Sequence, residues 1–220
     1  MTSRQDPDAD ALRLAGESLA AGDPTGWFER LYAESAAGAA IVPWDSRAPH
    51  VLLAEWGRGR AGSGRALVVG AGLGDDAEYV AELGHDTVAF DVSGSAVRLA
   101  RERFPESAVD YRVADLLDPP QEWRQAFDLV VEIMTVQALP EPLHARAVAA
   151  IADFVGPGGT LLVIASGREP GEPVNPPPWP LTRSEVAGFA TGGLEPGVIE
   201  ELHDGGRLRW RATFHRPAAG

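Results

Sequence analysis

The run Arg65–Asp91, RALVVGAGLGDDAEYVAELGHDTVAFD, concentrates the residues whose types and spacing suit ligand chemistry. Gly70, Gly72 and Gly74 follow a short apolar run, Ala66–Val69, and carry no Cβ to obstruct a ligand. Asp75–Leu83 has helical apolar spacing at Ala77, Val80, Ala81 and Leu83. Thr87–Phe90 reads as the next strand, and Asp91 closes it with a carboxylate. A strand, glycine turn, helix and strand ending in an acid suit a nucleoside-bearing ligand. The glycines permit close backbone approach, and the acid accepts hydrogen bonds from ribose hydroxyls.

Glycine spacing bears on which nucleoside. Dinucleotide folds use G-x-G-x-x-G, with a pyrophosphate on the helix N-terminus. Here the pattern is G-x-G-x-G, and Asp75 and Asp76 open the helix. Two carboxylates there favour the helix dipole but repel a phosphate. S-adenosylmethionine fits better, having a ribose, an adenine, a zwitterionic amino acid and a sulfonium but no phosphate. The plain alternative is a glycine turn that only joins a strand to a helix.

Composition narrows the field. A length of 220 residues fits one sizeable domain, and 45% hydrophobic residues support a real core. The formal charge of −13 argues against nucleic acid or an anionic membrane as the main partner. The chain has no cysteine, which removes disulfides, thiolate metal sites and a cysteine nucleophile, and fits a cytoplasmic setting. Neither a long apolar segment nor a signal-peptide pattern is visible, and no histidine or carboxylate cluster has metal-ligand spacing. The expected partner is a small-molecule acceptor, with no metal, nucleic acid or membrane, in a monomer or homodimer.

The elements that position these residues follow from patterning. Residues 1–10 are polar and read as a frayed terminus; 11–60 read as a helical cover, and 61–216 as the core of one domain spanning 1–220. Ala11–Ala21 and Pro24–Ser35 are expected helices, the second capped by Asp23. Ile41–His50 is an expected loop, and Val51–Trp56 the end of a helix. Ser93 is an N-cap candidate for Gly94–Phe104. Val109–Val113, Phe127–Glu132 and Thr160–Ser166 are further strands, with Pro142–Val155 a helix ended by Gly156–Gly159. Thr182 and Glu185 form a capping box pattern. Val198–His203 and Arg207–His215 flank Asp204-Gly205-Gly206 as an antiparallel hairpin, and Leu208, Trp210, Ala212 and Phe214 alternate with Arg207, Arg209, Arg211 and Thr213. Five strands alternating with helices and then a hairpin give a mixed α/β sheet.

With LVVGAGLGDDAEYVAELGHDTVAFDVS at Leu67–Ser93, VEIMTVQALP at Val131–Pro140, WFERLY at Trp27–Tyr32 and VPWD at Val42–Asp45, the chain resembles class I S-adenosylmethionine-dependent methyltransferases. Within them it looks most like the thiopurine S-methyltransferase branch. The resemblance covers about Trp27 to Phe214. It implies a Rossmann-like, mostly parallel seven-stranded sheet with a C-terminal antiparallel hairpin and helices on both faces. It places Gly70, Ala71 and Gly72 under the methionine part of the cofactor, with Gly74 also in the cofactor site, Asp91 on the ribose with Val92 beside the adenine, and Asp115 on the adenine amino group with Leu116 against the ring. Glu132 and Ile133 fall near the sulfonium, and Trp44 closes over it, its ring face suiting a cation. One departure is Val68, where many relatives carry an acid two positions before the first glycine; its role shifts to backbone carbonyls near Gly70 and Glu132, or to Asp45.

Several of these positions have simpler readings. Trp44 could only pin the N-terminal segment, Asp115 only cap a turn before Pro119-Pro120, and Glu132 be an ordinary strand-end acid. Met134 reads as packing and His144 as surface or core. The run NPPPWP at Asn175–Pro180 mimics a motif of amino-methylating enzymes, but it follows the fifth strand rather than the fourth. Arg168–Pro180 reads as a loop on the substrate side, with Trp179 and Trp27 as aromatic walls. The expected reaction is methyl transfer to a small molecule at a thiol, selenol or similar soft nucleophile, which needs little help from a base. The alternatives are small-molecule O- or N-methylation, a non-catalytic cofactor-binding protein, and a dinucleotide-dependent reductase.

Overall fold

The computed structural model describes residues 7–220. Seven strands form one sheet: β1 Arg65–Val69, β2 Asp86–Asp91, β3 Asp110–Val113, β4 Phe127–Ile133, β5 Val155–Ser166, β6 Glu195–Asp204 and β7 Arg207–His215. Their order across the sheet is β3-β2-β1-β4-β5-β7-β6. The first five are parallel, and β7 runs antiparallel to both β5 and β6. The sequence expectation of a mixed sheet with a terminal hairpin holds. Order reverses at β1, where β2 and β4 leave to opposite sides, and ligands of open α/β sheets bind outside the strand C-termini at such a switch.

The central strands β1, β2 and β4 are buried on both faces, so they read as near-continuous apolar runs, whereas β7 alternates and β3 and β6 are largely exposed. On one face Leu67, Val69, Phe90, Val130 and Leu161 meet α6 Glu141–Phe154 through Ala147, Ile151 and Phe154. On the other, Ala66, Val68, Ala89 and Val131 meet α3 Val51–Gly57, α4 Asp75–Glu82 and α5 Gly94–Arg103 through Leu53, Val80 and Val97. Short α7, Arg183–Ala187, carries the expected capping box, with Thr182 Oγ1 accepting from Glu185 N and the Glu185 carboxylate accepting from Thr182 N.

The N-terminal cover has its own small core. Helices α1 Pro7–Ala20 and α2 Gly26–Ala36 bury Leu14, Trp27, Leu31 and Tyr32 with Val42, Leu73 and Ala96. Helix α1 starts four residues before the expected Ala11, so residues 7–10 are helical rather than frayed; residues 1–6 lie outside the described residues. Helix α2 begins at Gly26 rather than at the expected Pro24, with Thr25 and not Asp23 in the N-cap position. Thr25 makes no side-chain cap bond, and Asp23, two residues earlier, supplies one instead, its Oδ1 accepting from Gly26 N at 2.8 Å. Glu29 of α2 then docks on the start of α5, accepting from Ser93 Oγ at 2.7 Å and from Ser95 N at 2.9 Å. Ser93 is itself the α5 N-cap.

Two boundaries differ from expectation. Val51–Gly57 is a separate short helix rather than a helix end, because the His50 side chain caps it by accepting from Leu52 N. The Gly156–Gly159 stretch, expected to separate helix from strand, belongs to β5, which begins at Val155. Val155 pairs with Phe127, and a register shift between Phe127 and Leu129 absorbs the glycines as an irregularity in the ladder.

Candidate functional site

A cavity of about 720 Å³ opens along the C-terminal ends of the parallel strands. This size lies within the range of small-molecule pockets. Its floor is the turn after β1. Gly70, Gly72 and Gly74 have φ of 62°, 53° and 95°, the left-handed region that strains other residues. Protein contacts also exclude a side chain there. A Cβ on Gly70 would lie 2.4 Å from Thr135 Oγ1, and one on Gly72 would lie 2.8 Å from Tyr32 Oη.

Asp91 at the end of β2 is buried and holds this turn. Its Oδ2 accepts from Gly72 N and its Oδ1 from Ser93 N, both at 2.9 Å. Burial pushes its carboxyl up to about 6. Each ionised oxygen still has acceptor capacity left, so one carboxylate can serve the fold and two ligand hydroxyls together. Beside it Val92, Asp115 and buried Leu116 line the same end. Asp115 also makes the turn that was its plain alternative, accepting from Leu117 N at 2.8 Å. The turn residues, Asp91 and the Asp115–Leu116 edge thus fit a phosphate-free nucleoside ligand. The helix-opening carboxylates are committed elsewhere: Asp75 to Arg103 at 2.7 Å and Asp76 to His50 N at 2.7 Å.

Of the remaining expected site residues, Trp27, Trp44, Gly70, Ala71, Gly72, Gly74 and Ile133 line the cavity, while Glu132 and Trp179 do not. Trp44 does two things. It donates from Nε1 to Tyr32 Oη at 2.9 Å and meets Trp27 edge-on, which pins it, while its exposed face borders the cavity. Arg103 fastens this segment by bridging Asp45 and Asp75. Glu132 is fully buried; its Oε1 accepts from Thr135 N and Val136 N at 2.7 and 3.0 Å, and its Oε2 has no partner. Burial raises its carboxyl to about 7. Between these residues Met134 sits at φ 58° and lines the cavity. The two bonds of Glu132 close the turn that holds Met134 in this costly conformation.

The loop after β5 contributes Asn175, Pro177 and Pro178 to the wall; Trp179 is anchored instead by its backbone N to Gln137 O. His50, Asp76, Gln137, Ser166, Arg207 and Arg209 also line the cavity and were not anticipated. Asp76 left a trace in the sequence as a helix-opening carboxylate, and the arginines as part of the polar half of the alternation in the last strand. His144 stays outside the lining, with Nε2 bonded to Leu139 O.

Residues 66–159 match a family model described as a methyltransferase domain. The ubiquinone biosynthesis O-methyltransferase of Xanthomonas campestris pv. campestris (strain B100) is 36% identical over 108 residues, 48% of this chain and 44% of the relative. The chain thus aligns with less than half the length of that curated relative. Among solved structures, the N-methyltransferase NodS from Bradyrhizobium japonicum WM9, bound to S-adenosylhomocysteine, has TM-score 0.64 at 19% identity, covering 86% of this chain and 96% of NodS. The (4+2) cyclase SpnF has TM-score 0.64 at 20% identity, covering 99% and 97%. These structures share the Rossmann-like methyltransferase fold with the chain. The thiopurine branch is not among these matches.

Proposed function

We propose that the protein is an S-adenosylmethionine-dependent methyltransferase acting on a small molecule. The observation that carries this reading is Asp91, a buried carboxylate gripping the glycine turn at the sheet's switch point, inside a segment that matches a methyltransferase domain. When bound, S-adenosylmethionine supplies a methyl group activated on a sulfonium. The chain supplies the rest: Gly70 and Gly72 give floor positions without side chains, Asp91 accepts from the ribose, and Asp115 and Leu116 take the adenine edge and face. Ile133 and Met134 border the transfer point, and Trp44 and the Arg168–Pro180 loop exclude water. Glu132 acts through the Met134 turn rather than by contact.

For the acceptor we retain a thiol, selenol or similar soft nucleophile. Among the described residues no cluster could hold a metal ion. The cavity's histidine, His50, spends Nδ1 accepting from Leu52 N, and burial lowers its pKa, so its remaining nitrogen carries a proton. A nucleophile that ionises unaided suits such walls. The ubiquinone-type sequence relatives favour a second reading, O-methylation, and the cyclase that shares the fold keeps a non-methylating protein as a third.

Calorimetric titration with S-adenosylmethionine, S-adenosylhomocysteine and NAD, followed by methyl transfer to a panel of thiols, phenols, amines and carboxylates with and without chelator, separates these readings. Binding of the first two alone, with chelator-insensitive turnover of thiols, is the expected result. Binding of NAD alone would sink the proposal. Turnover of phenols alone would favour the O-methyltransferase reading, and cofactor binding with no turnover the third.

A further inference from the structure

Strand β7 places Arg207, Arg209 and Arg211 on one face, spaced two residues apart along the strand. Their surroundings diverge. Arg211, farthest from the cavity, is neutralised by Glu200 at 2.7 Å and Glu55 at 3.5 Å and also donates to Leu52 O. Arg209 and Arg207 line the cavity and have no salt bridge to any carboxylate among the described residues. Arg209 donates from Nη1 to Ser166 Oγ at 3.0 Å and to its neighbour's carbonyl, Leu208 O, and its Nε–H is buried with no partner. In a chain of net charge −13, where other cavity-lining groups are aspartates, two unneutralised guanidinium groups at one end of the cavity stand out. Their mutual repulsion and the burial of Arg209 are costs that the fold does not recover from its own carboxylates. Among the described residues Asp204 acts on Arg209 electrostatically and forms no salt bridge with it.

Placement across the sheet separates the two ends. Asp91 and Asp115 lie at the ends of β2 and β3, and Ile133 at the end of β4. Arg209 is on β7 opposite Ser166 at the end of β5. From β4 to β7 is two strand spacings, about 10 Å. An acceptor whose reacting atom lies over β4 therefore extends towards the arginines. His50, its free nitrogen protonated, lines the same cavity as a further neutral donor.

We propose that the methyl acceptor carries an oxyanion, a carboxylate or a phosphate, which Arg209 and Arg207 bind at the β7 end of the cavity. This rests on the methyltransferase reading for the word acceptor; the anion site itself does not. A guanidinium presents paired N–H donors in the geometry these oxyanions accept, and neither Arg209 nor Arg207 spends them on a carboxylate among the described residues.

The test titrates benzoate, phenyl phosphate and neutral benzyl alcohol into the protein, alone and saturated with S-adenosylhomocysteine, for the natural chain, Arg209→Gln and Arg207→Gln. At least one anion should bind about tenfold or more tighter than benzyl alcohol. The stronger of the two distinguishes carboxylate from phosphate. Arg209→Gln should erase the preference and Arg207→Gln reduce it, with S-adenosylhomocysteine affinity in both within about twofold of the natural chain. Equal binding of anionic and neutral probes, or a preference untouched in both variants, would overturn the proposal. If S-adenosylhomocysteine fails to bind, the methyltransferase reading falls, while the anion titration of the protein alone still decides the arginine site.

Discussion

The carboxylate of Asp91 receives two backbone N–H groups, one from the glycine turn and one from the start of α5. Removing it therefore does more than remove a ribose contact. Asp91→Ala should weaken S-adenosylhomocysteine binding by about a hundredfold or more, since two hydrogen bonds to a charged acceptor go together. It should also lower the melting midpoint by several degrees, because two buried N–H groups are orphaned at about 1–3 kcal/mol each. Calorimetry and thermal denaturation measure the two effects separately; unchanged affinity in a folded variant would refute the ribose role. The same group sets a pH dependence. Its ionised form is the acceptor, and it titrates near about 6. Affinity should be level above about pH 7 and fall below about 6, by up to about tenfold per pH unit for one proton. A flat profile from pH 7.5 to 5 would contradict it.

At the scale of elements, the cavity is walled by segments that leave the sheet: the cover, fastened by Arg103 between Asp45 and Asp75, and the loop from Arg168 to Pro180. Arg168 anchors that loop, donating to Pro180 O at 2.7 Å and pairing with Glu185 at 3.2 Å. Proline limits the chain's freedom between such anchors. Replacing Pro176–Pro178 with glycine should raise KM for the acceptor several-fold while leaving S-adenosylhomocysteine affinity within about twofold, because Asp91 and the glycine turn lie at the other end of the cavity. Loss of cofactor binding with acceptor KM unchanged would reverse the roles assigned to the two ends.

Taken as a whole, the described residues include two buried carboxyls pushed well above their ordinary values, Asp91 to about 6 and Glu132 to about 7, beside the half-buried Asp76 at about 6; Asp75 is shifted in the same direction. Between about pH 4 and 7 the folded protein holds more protons on them than the unfolded chain. The stability they lend is full below about 4 and is lost as pH rises through 6 and 7. The ligand-free protein should melt at a higher temperature near pH 5.5 than at pH 8. Glu132→Gln keeps an oxygen for Thr135 N and Val136 N but removes the titration, so its midpoint should decline less over that interval. Parallel slopes for the two proteins would show that Glu132 is already ionised in the folded state.

The sequence determined the strand–turn–helix–strand unit, the hairpin and the Asp91 end of the cavity. Those follow from local rules: apolar runs, positive-φ glycines, caps, and an acid at a strand end. Tertiary structure alone decided the other end. Arg209 and Ser166 are 43 residues apart, and only the antiparallel pairing of β5 with β7 sets them side by side. His50 reads as a loop residue until its side chain is seen capping α3 at the cavity wall. Glu132 looked like a ligand residue because it ends an apolar strand, and Trp179 because it sits in a proline-rich loop. Whether such side chains point into a cavity or turn back into the fold depends on the neighbouring backbone N–H groups and carbonyls, which chain proximity does not reveal.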